Sequence, residues 1–243
     1  MKCNFDVNAT TDIEKYRCST LETKEPETLK WIQSFKDGDC LYDVGANIGL
    51  YSLYCCSINP NTAVYSFEPM ISNFTKMLCN KDMNKFANMN CIYAACGAET
   101  RLASLYVPNQ TFLRQGLTPG ASGSQLDKAE DESGNAFPVL TVHNVQCFTL
   151  DDFINIFKAE ITQHIKIDTD GNEGDILKGF TKWDSVKSVL VEWNKQKNPD
   201  LLVNMEALKF TSDNEFNKLE NHSRHRQPAG IENVIFTRPN GLS

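Results

Sequence analysis

The sequence lacks the features that mark three large classes of protein. Its 243 residues hold no apolar run of the roughly 18 residues that a membrane helix needs, and Met1 to Asp6 do not resemble a signal peptide. Only 24 lysines and arginines stand against 31 aspartates and glutamates, which argues against a nucleic-acid partner. With 13 glycines and 9 prolines, the chain has too few for a long linker or a mostly disordered protein. We therefore expect a single cytoplasmic domain, residues 1–243, without membrane insertion.

Common metal and nucleotide motifs are absent as well. The nine cysteines include no C-x-x-C pair, so we expect buried free thiols rather than a zinc site. No G-K-[ST] follows a glycine-rich turn, which excludes a P-loop. No H-x-H or E-x-x-H pattern supports a catalytic metal, so no metal site is expected. A divalent ion held by Asp168, Asp170 and Glu192 stays a less favoured alternative.

Short apolar runs alternate with helical patterns, which is typical of an α/β fold with a parallel sheet. A helical segment is expected within residues 1–36, with a helix opening at Glu25, and further helices near Ser72 and over Leu150 to Phe157. Two polar segments, residues 108–141 and 211–230, are candidate lids or acceptor loops. The predicted strands are Cys40 to Val44, Ala63 to Phe67, Cys91 to Ala95, Leu102 to Val107, Val145 to Thr149, His164 to Asp168, Ser188 to Glu192 and Asn233 to Thr237.

The strongest signal is Asp43-Val44-Gly45-Ala46-Asn47-Ile48-Gly49, which joins the first predicted strand to a helix. Gly45 and Gly49 lack a Cβ atom, so the backbone can turn tightly and approach a ligand, while helix N-terminal amides offer donors. Ile48 and Leu50 stand where a dinucleotide-binding turn has small residues. The spacing therefore argues against a nicotinamide enzyme, although it leaves that alternative open.

Carboxylates follow two of the other predicted strands. Glu68 comes 25 residues after Asp43, about where a nucleoside ribose reaches after one βα unit, and it can accept hydrogen bonds from both ribose hydroxyls. The segment Asp168-Thr169-Asp170-Gly171-Asn172-Glu173 crowds three carboxylates together, which suits a general base or a hard cation. Helix capping by Asp170 or Asn172 is the structural alternative.

These motifs, in this order, resemble the FkbM-type S-adenosylmethionine-dependent methyltransferases. The similarity runs from about Glu25 to the carboxyl end and includes Gly120-Ala121-Ser122-Gly123-Ser124, Thr149-Leu150-Asp151-Asp152 and Leu177-Lys178-Gly179. It implies a class I methyltransferase (Rossmann-like) three-layer α/β sandwich, with a seven-stranded, mainly parallel sheet and one antiparallel strand. It also implies S-adenosylmethionine as cofactor and O-methylation of a hydroxyl on a sugar, a glycan or another natural product.

The resemblance also implies roles for individual residues. Its usual D-x-E-G reads Asp168-Thr169-Asp170-Gly171 here, which shortens the second acidic side chain. The substrate-binding candidates are Ser124, His222 and Arg224. The cofactor-binding candidates are Asp43, Gly45, Asn47 and Gly49 around the methionine, Glu68 with Pro69 at the ribose, Asn73 beside the adenosine, and Ala95 near the adenine.

Methyl transfer to a hydroxyl is an in-line displacement that a base assists by removing the proton. The catalytic candidates are Asp168 as the base, and Asp170 and Glu173 as orienting residues or substitutes. Lys166 is not favoured, because strand alternation is expected to point it elsewhere. His222 or His225 is the second choice of base. A nicotinamide-dependent oxidoreductase and a non-catalytic adenosyl-binding protein are the competing functions.

Overall fold

The computed structural model describes residues 5–109, 117–131, 133–220 and 230–238. The candidates His222, Arg224 and His225 lie outside these residues. The helices are α1 Asp12–Lys24, α2 Pro26–Gln33, α3 Leu50–Ile58, α4 Ile71–Asn84, α5 Leu150–Phe157, α6 Glu173–Lys178, α7 Leu201–Ala207 and α8 Asn214–Glu220. The strands are β1 Cys40–Val44, β2 Ala63–Phe67, β3 Met89–Ile92, β4 Ala95–Cys96, β5 Arg101–Pro108, β6 Gln125–Leu126, β7 Val139–Phe148, β8 His164–Ile167, β9 Ser188–Asn194, β10 Thr211–Ser212 and β11 Ile231–Thr237.

A seven-stranded sheet in the order β10-β11-β9-β8-β1-β2-β3 forms the middle layer. Strand β11 runs antiparallel to both of its neighbours, while β1, β2, β3, β8 and β9 pair in parallel. Helices cover both faces, with α2, α3 and α4 packing on one and α5, α6 and α7 on the other. This arrangement confirms the expected class I methyltransferase sandwich.

The central strands are buried on both faces, which explains their continuous apolar sequences. All five residues of β1 and all four of β8 are buried. Leu41 faces the core under α2 and α3, whereas Tyr42 faces the core under α5. In α5, Leu150, Phe153 and Ile154 are buried at the helical spacing seen in the sequence.

The segment expected to be a loop, residues 108–141, holds regular structure at both of its described ends. Strand β7 begins at Val139, six residues before the predicted start, and pairs antiparallel with β5. None of its first six residues is buried, so no buried apolar face marks them as strand. Together β4, β7, β5 and β6 form a second sheet, and the strand expected at Cys91 to Ala95 divides between β3 and β4.

The amino-terminal segment contributes a helix that the apolar pattern did not indicate. Only Glu14 and Leu21 are buried in α1, so it lacks an apolar face. A capping box starts it, in which the Thr11 side chain accepts from the backbone N–H of Glu14 and the Glu14 side chain accepts from that of Thr11. In the other polar segment, α8 packs against α2 and β11. No helix in the described ranges has the length and apolarity to cross a bilayer.

Candidate active site

A cleft of about 260 Å³ lies over the carboxyl ends of β1, β2 and β8, where open α/β sheets bind their ligands. Two smaller compartments share lining residues with it. One, of about 50 Å³, lies between α1 and the turn after β1 and has a charged lining. The other, of about 40 Å³, lies against β4, β5 and β6 and is mostly apolar. We refer to these as the charged compartment and the apolar compartment.

Gly45, in the turn after β1, lines the cleft and both compartments. Gly45 adopts a φ of +83°, in the left-handed region that favours glycine. A Cβ atom added there would lie 1.9 Å from the carbonyl oxygen of Asp168, so the turn packs directly on the end of β8. Gly49 also has a positive φ, but its missing Cβ makes room for the side chains of Met77 and Met89. Gly45 therefore shapes the cleft, and Gly49 serves packing beneath it.

Glu68 places a buried carboxylate on the cleft wall, at the end of β2. Its Oε2 accepts the backbone N–H of Asn47 at 2.8 Å, and its Oε1 accepts that of Met70 at 2.8 Å. Burial raises the pKa of Glu68 to about 7, although both backbone donors act in the opposite direction. The Asn73 side chain also hydrogen-bonds to the carboxylate. A carboxylate can accept about four hydrogen bonds, so Glu68 keeps acceptor capacity for a ligand hydroxyl.

Residues 117–124, here called the strap, lie along the cleft and belong to the segment 108–141. The carbonyl oxygen of Ala121 accepts hydrogen bonds from the side-chain amides of Asn47, at 2.9 Å, and Asn73, at 3.0 Å. Residues 121–124 line the cleft itself. Two residues expected to bind a cofactor thus also hold the strap.

Asp168 follows β8 and lines both the cleft and the charged compartment. The Nζ atom of Lys166 lies 2.9 Å from its Oδ2 and 3.6 Å from Oδ1 of Asp43. The expectation that Lys166 points elsewhere was wrong, because residues two apart on a strand share a face. Although burial opposes it, Lys166 and, after it, Lys24 lower the pKa of Asp168. Asp168 is therefore an ionised carboxylate and a weak base.

Asp170 and Glu192 add two carboxylates to the cleft lining, whereas Glu173 is not part of it. Asp170 has a φ of +59°, and its Oδ2 accepts the backbone N–H of Gly123 in the strap at 2.9 Å. Glu173 is buried, and its Oε1 accepts the backbone N–H of Gly171 at 2.8 Å. Burial raises the pKa of Glu173. Glu173 holds the loop after β8 in shape and does not face the cleft.

Two cations of α1 reach the site, and sequence reasoning missed both. Arg17 and Lys24 line the cleft and the charged compartment. Nε of Arg17 donates to the carbonyl oxygen of Gly120 at 2.6 Å, and Nζ of Lys24 lies 2.7 Å from Oε1 of Glu25. Although burial lowers it, Glu25 and Asp168 raise the pKa of Lys24. Their spacing of seven residues, two helical turns, is the sequence signal that could have paired them.

The family model described as methyltransferase FkbM domain matches residues 43–222 of the chain. The chain belongs to this family. It is an S-adenosylmethionine-dependent methyltransferase, which removes the nicotinamide-dependent oxidoreductase and the non-catalytic adenosyl-binding protein from consideration.

Two curated proteins are similar to this methyltransferase. Methyltransferase 1 of Beauveria bassiana is 25% identical over 171 residues, which cover 66% of this chain and 67% of that protein. Hexuronic acid methyltransferase AglP of Haloferax volcanii is 23% identical over 198 residues, covering 80% and 72% of the two chains. Among solved structures, a precorrin-6y C5,15-methyltransferase from Geobacter metallireducens aligns over 98% of both chains with 9% identity and a TM-score of 0.47.

The structure brings most of the sequence-derived site residues of this methyltransferase to one cleft. Asp43 and Gly49 do not line the cleft or either compartment. Asp43 is buried behind the turn, where its Oδ2 accepts a hydrogen bond from Oγ of Ser52 at 2.6 Å. Ala95 lines the apolar compartment. The candidates that line the cleft are Gly45, Asn47, Glu68, Pro69, Asn73, Ser124, Asp168 and Asp170.

The alternative metal ligands Asp168, Asp170 and Glu192 line the same cleft. In the part of the chain that the structure describes, no group of three or more histidine, cysteine, aspartate or glutamate side chains is arranged to hold a metal ion. The helix-capping alternative is not seen for Asn172, which precedes α6 without a capping side-chain hydrogen bond and instead donates to the carbonyl oxygen of Cys96 at 2.9 Å.

Proposed function

We propose that this methyltransferase transfers the methyl group of S-adenosylmethionine to a hydroxyl group of a sugar or glycan acceptor. The observation that carries the proposal is the row of carboxylates on the β8–β9 side of the cleft, Asp168, Asp170 and Glu192. Such a lining suits a polar ligand with several hydroxyl donors. The similarity to a protein named hexuronic acid methyltransferase also favours a sugar acceptor.

The adenosine part of the cofactor is proposed to lie on the other side, over β1, β2 and β4. The buried carboxylate of Glu68 fits the two hydroxyls of a ribose, because it is fixed in place and keeps acceptor capacity. The apolar compartment, with Ala95, Leu105 and Leu126 in its lining, fits a flat adenine ring. Gly45 lines both spaces, so a ligand that joins them passes this turn.

When bound, S-adenosylmethionine supplies an electrophilic methyl group. The residues of this chain then have two tasks, which are to hold the acceptor oxygen in line and to accept its proton. The strap supports the first task, because residues 121–124 wall the cleft and limit the access of water.

Glu192 is proposed as the proton acceptor in place of Asp168. Lys166 holds Asp168 in its ionised form with a lowered pKa, which makes it a poor base. Oδ2 of Asp170 accepts a backbone N–H of the strap, so this residue fixes the strap. Glu192 lies half-buried in β9, next to β8, and lines the cleft on the side proposed for the acceptor.

The test is a methyl-transfer assay with methyl-labelled S-adenosylmethionine and a panel of acceptors. The panel contains glycosides of neutral hexoses, glycosides of hexuronic acids, and phenols as non-sugar controls. We expect the label on a sugar hydroxyl as an alkali-stable ether. Label on a carboxylate as an alkali-labile ester, or on phenols alone, would contradict the proposal.

Two variants separate catalysis from binding in the same assay. Glu192→Gln keeps the size of the side chain, and we expect it to lower kcat by about 100-fold or more while S-adenosylhomocysteine binds as in the wild type. Asp168→Asn should instead weaken cofactor binding, because Asp168 also lines the charged compartment beside the turn after β1. Turnover of Glu192→Gln at the wild-type rate would remove Glu192 as the base.

A further inference from the structure

We propose that α1 supplies the site for the amino-acid end of the cofactor, with Arg17 and Lys24 binding its carboxylate and Asp168 accepting from its ammonium group. Helix α1 lies before residue 43, where the match to the family model begins. The inference rests on the placement of adenosine in the proposed function, and it assigns the charged compartment to a specific part of the ligand.

The position of the compartment is the first argument. Gly45 lines the apolar compartment, the cleft and the charged compartment in turn. A ligand that places adenine in the apolar compartment and ribose at Glu68 can continue past Gly45 only toward the cleft or toward α1. The amino-acid chain on the sulfur is short, and the charged compartment is correspondingly small, about 50 Å³.

The face that α1 presents is the second argument. Arg17, Thr20, Leu21 and Lys24 all line the charged compartment. Their spacing places them on one side of the helix. Leu21 packs in the core under α2 and α3, whereas Arg17, Thr20 and Lys24 are polar, so core packing does not account for these three side chains.

The charges are the third argument. The compartment is lined by the cations Arg17, Lys24 and Lys166 and by the carboxylates Glu25 and Asp168. Glu25 is occupied by protein partners, since its Oε1 lies 2.7 Å from Nζ of Lys24 and its Oε2 accepts the hydroxyl of Tyr51 at 2.7 Å. A zwitterion, with one carboxylate and one ammonium group a few bonds apart, complements a lining of both signs.

The protein contacts of each charged side chain decide which end of the zwitterion it binds. Lys166 and Lys24 keep Asp168 ionised, so at neutral pH it can accept hydrogen bonds from an ammonium group. Lys166 is buried between Asp168 and Asp43, which leaves Arg17 and Lys24 as the cations nearer the opening of the compartment. The carboxylate is therefore assigned to these two residues of α1.

The experiment is calorimetric titration of the full chain with three adenosine ligands. S-adenosylhomocysteine carries the complete amino-acid end, S-adenosylthiopropylamine lacks only the carboxylate, and 5′-methylthioadenosine lacks the whole amino-acid end. We expect the wild type to bind the first about 10- to 100-fold more tightly than the second, as for other charge-assisted contacts.

Lys24→Met is the deciding variant. It should weaken S-adenosylhomocysteine by about 10-fold or more and leave the other two ligands within about threefold of the wild type. Arg17→Met should add to this loss, although it also removes the bond to the strap. Lys15→Met is the matched control, because Lys15 lies on the same helix, is exposed and pairs with Asp12. It should bind all three ligands like the wild type.

Either of two results with Lys24→Met would overturn the inference. Lys24→Met could leave S-adenosylhomocysteine binding unchanged, or it could weaken all three ligands equally, which would mean that the side chain only supports the fold. A wild type that binds none of the three ligands would contradict the cofactor placement in the proposed function as well. Binding of all three with equal affinity would contradict only the assignment to α1.

Discussion

The carboxylate of Glu68 links cofactor binding to pH. Burial raises its pKa to about 7, and the ionised form accepts ribose hydroxyls better than the protonated form. We therefore expect S-adenosylhomocysteine to bind about tenfold more weakly at pH 6 than at pH 8, because most Glu68 is protonated one unit below its pKa. Titration calorimetry across this range measures the effect. A Glu68→Gln variant should bind weakly with no such pH dependence, and an unchanged pH slope in that variant would exclude Glu68 as its source.

Substitution of Gly45 and Gly38 by alanine tests whether the turn after β1 depends on its close approach to β8. Both have positive φ, +83° and +78°, so alanine is strained at each. Only at Gly45 would the new Cβ meet backbone, 1.9 Å from the carbonyl oxygen of Asp168, whereas nothing lies within 4 Å at Gly38. We expect Gly38→Ala to cost about 1 kcal/mol and Gly45→Ala more than about 3 kcal/mol in the free energy of unfolding. Urea titration measures both, and equal losses would show that the close approach to β8 does not matter.

At this scale, local motifs in the sequence predicted some residues and missed others. Gly45 and Glu68 stand at strand ends in recognisable patterns, so their place on the cleft could be anticipated. Arg17 and Lys24 could not, because a polar helix with no apolar face does not show which side meets the rest of the chain. Glu173 stands in the same acidic segment as Asp168, and only the structure shows that its side chain accepts the backbone N–H of Gly171 instead of facing the cleft.

At the scale of the elements, the strap is the part of the structure that ligand binding should affect most. The backbone of Ala121 is held by Asn47 and Asn73, whose side chains also line the cleft. We expect S-adenosylhomocysteine to slow amide hydrogen exchange over residues 120–126, because a filled cleft restrains the opening of the strap. Hydrogen–deuterium exchange followed by mass spectrometry of the peptides measures this rate.

Asn73→Ala should increase the rate of amide hydrogen exchange over residues 120–126 in the ligand-free protein. It removes one of the two side-chain amides that donate to the carbonyl oxygen of Ala121. Asn61→Ala is the control, because Asn61 is exposed and its side-chain amide donates to Oδ1 of Asp37, which is not part of the strap. If ligand leaves residues 120–126 unprotected, the strap is an ordinary surface loop.

The elements differ in how far the sequence could predict them. Strands β1 and β2 and helix α5 have the predicted bounds, because continuous burial and helical spacing are local patterns. The first half of β7 was missed, since it is stabilised by pairing with β5 across the chain and leaves little trace in local hydrophobicity.

At the scale of the whole molecule, different polar networks lie at the two ends of the parallel strands. The cleft lies at their carboxyl ends, whereas His164 lies at the amino end of β8. Its Nε2 lies 2.9 Å from Oδ2 of Asp39, and its Nδ1 lies 2.7 Å from Oγ of Ser188. Burial lowers the pKa of His164, although Asp39 acts in the opposite direction.

This network should make stability depend on pH near neutrality. The unfolded histidine takes up a proton below about pH 6.5, while the buried ring stays neutral, so its contribution is complete above that pH and declines below it. We expect the stability difference between wild type and His164→Asn to shrink from pH 7 to pH 5, by at most about 1.4 kcal/mol per pH unit. Urea titrations at several pH values measure it. A constant difference would mean that the ring titrates alike in both states.

The most direct measurement is a calorimetric titration of the wild type with S-adenosylhomocysteine, run beside NAD and beside a Glu68→Ala variant. We predict micromolar binding of S-adenosylhomocysteine, equivalent to about 8 kcal/mol, no binding of NAD, and loss of most of the affinity in the variant. A wild type that does not bind S-adenosylhomocysteine, or a Glu68→Ala variant that binds it equally well, would contradict the placement of the cofactor at the end of β2.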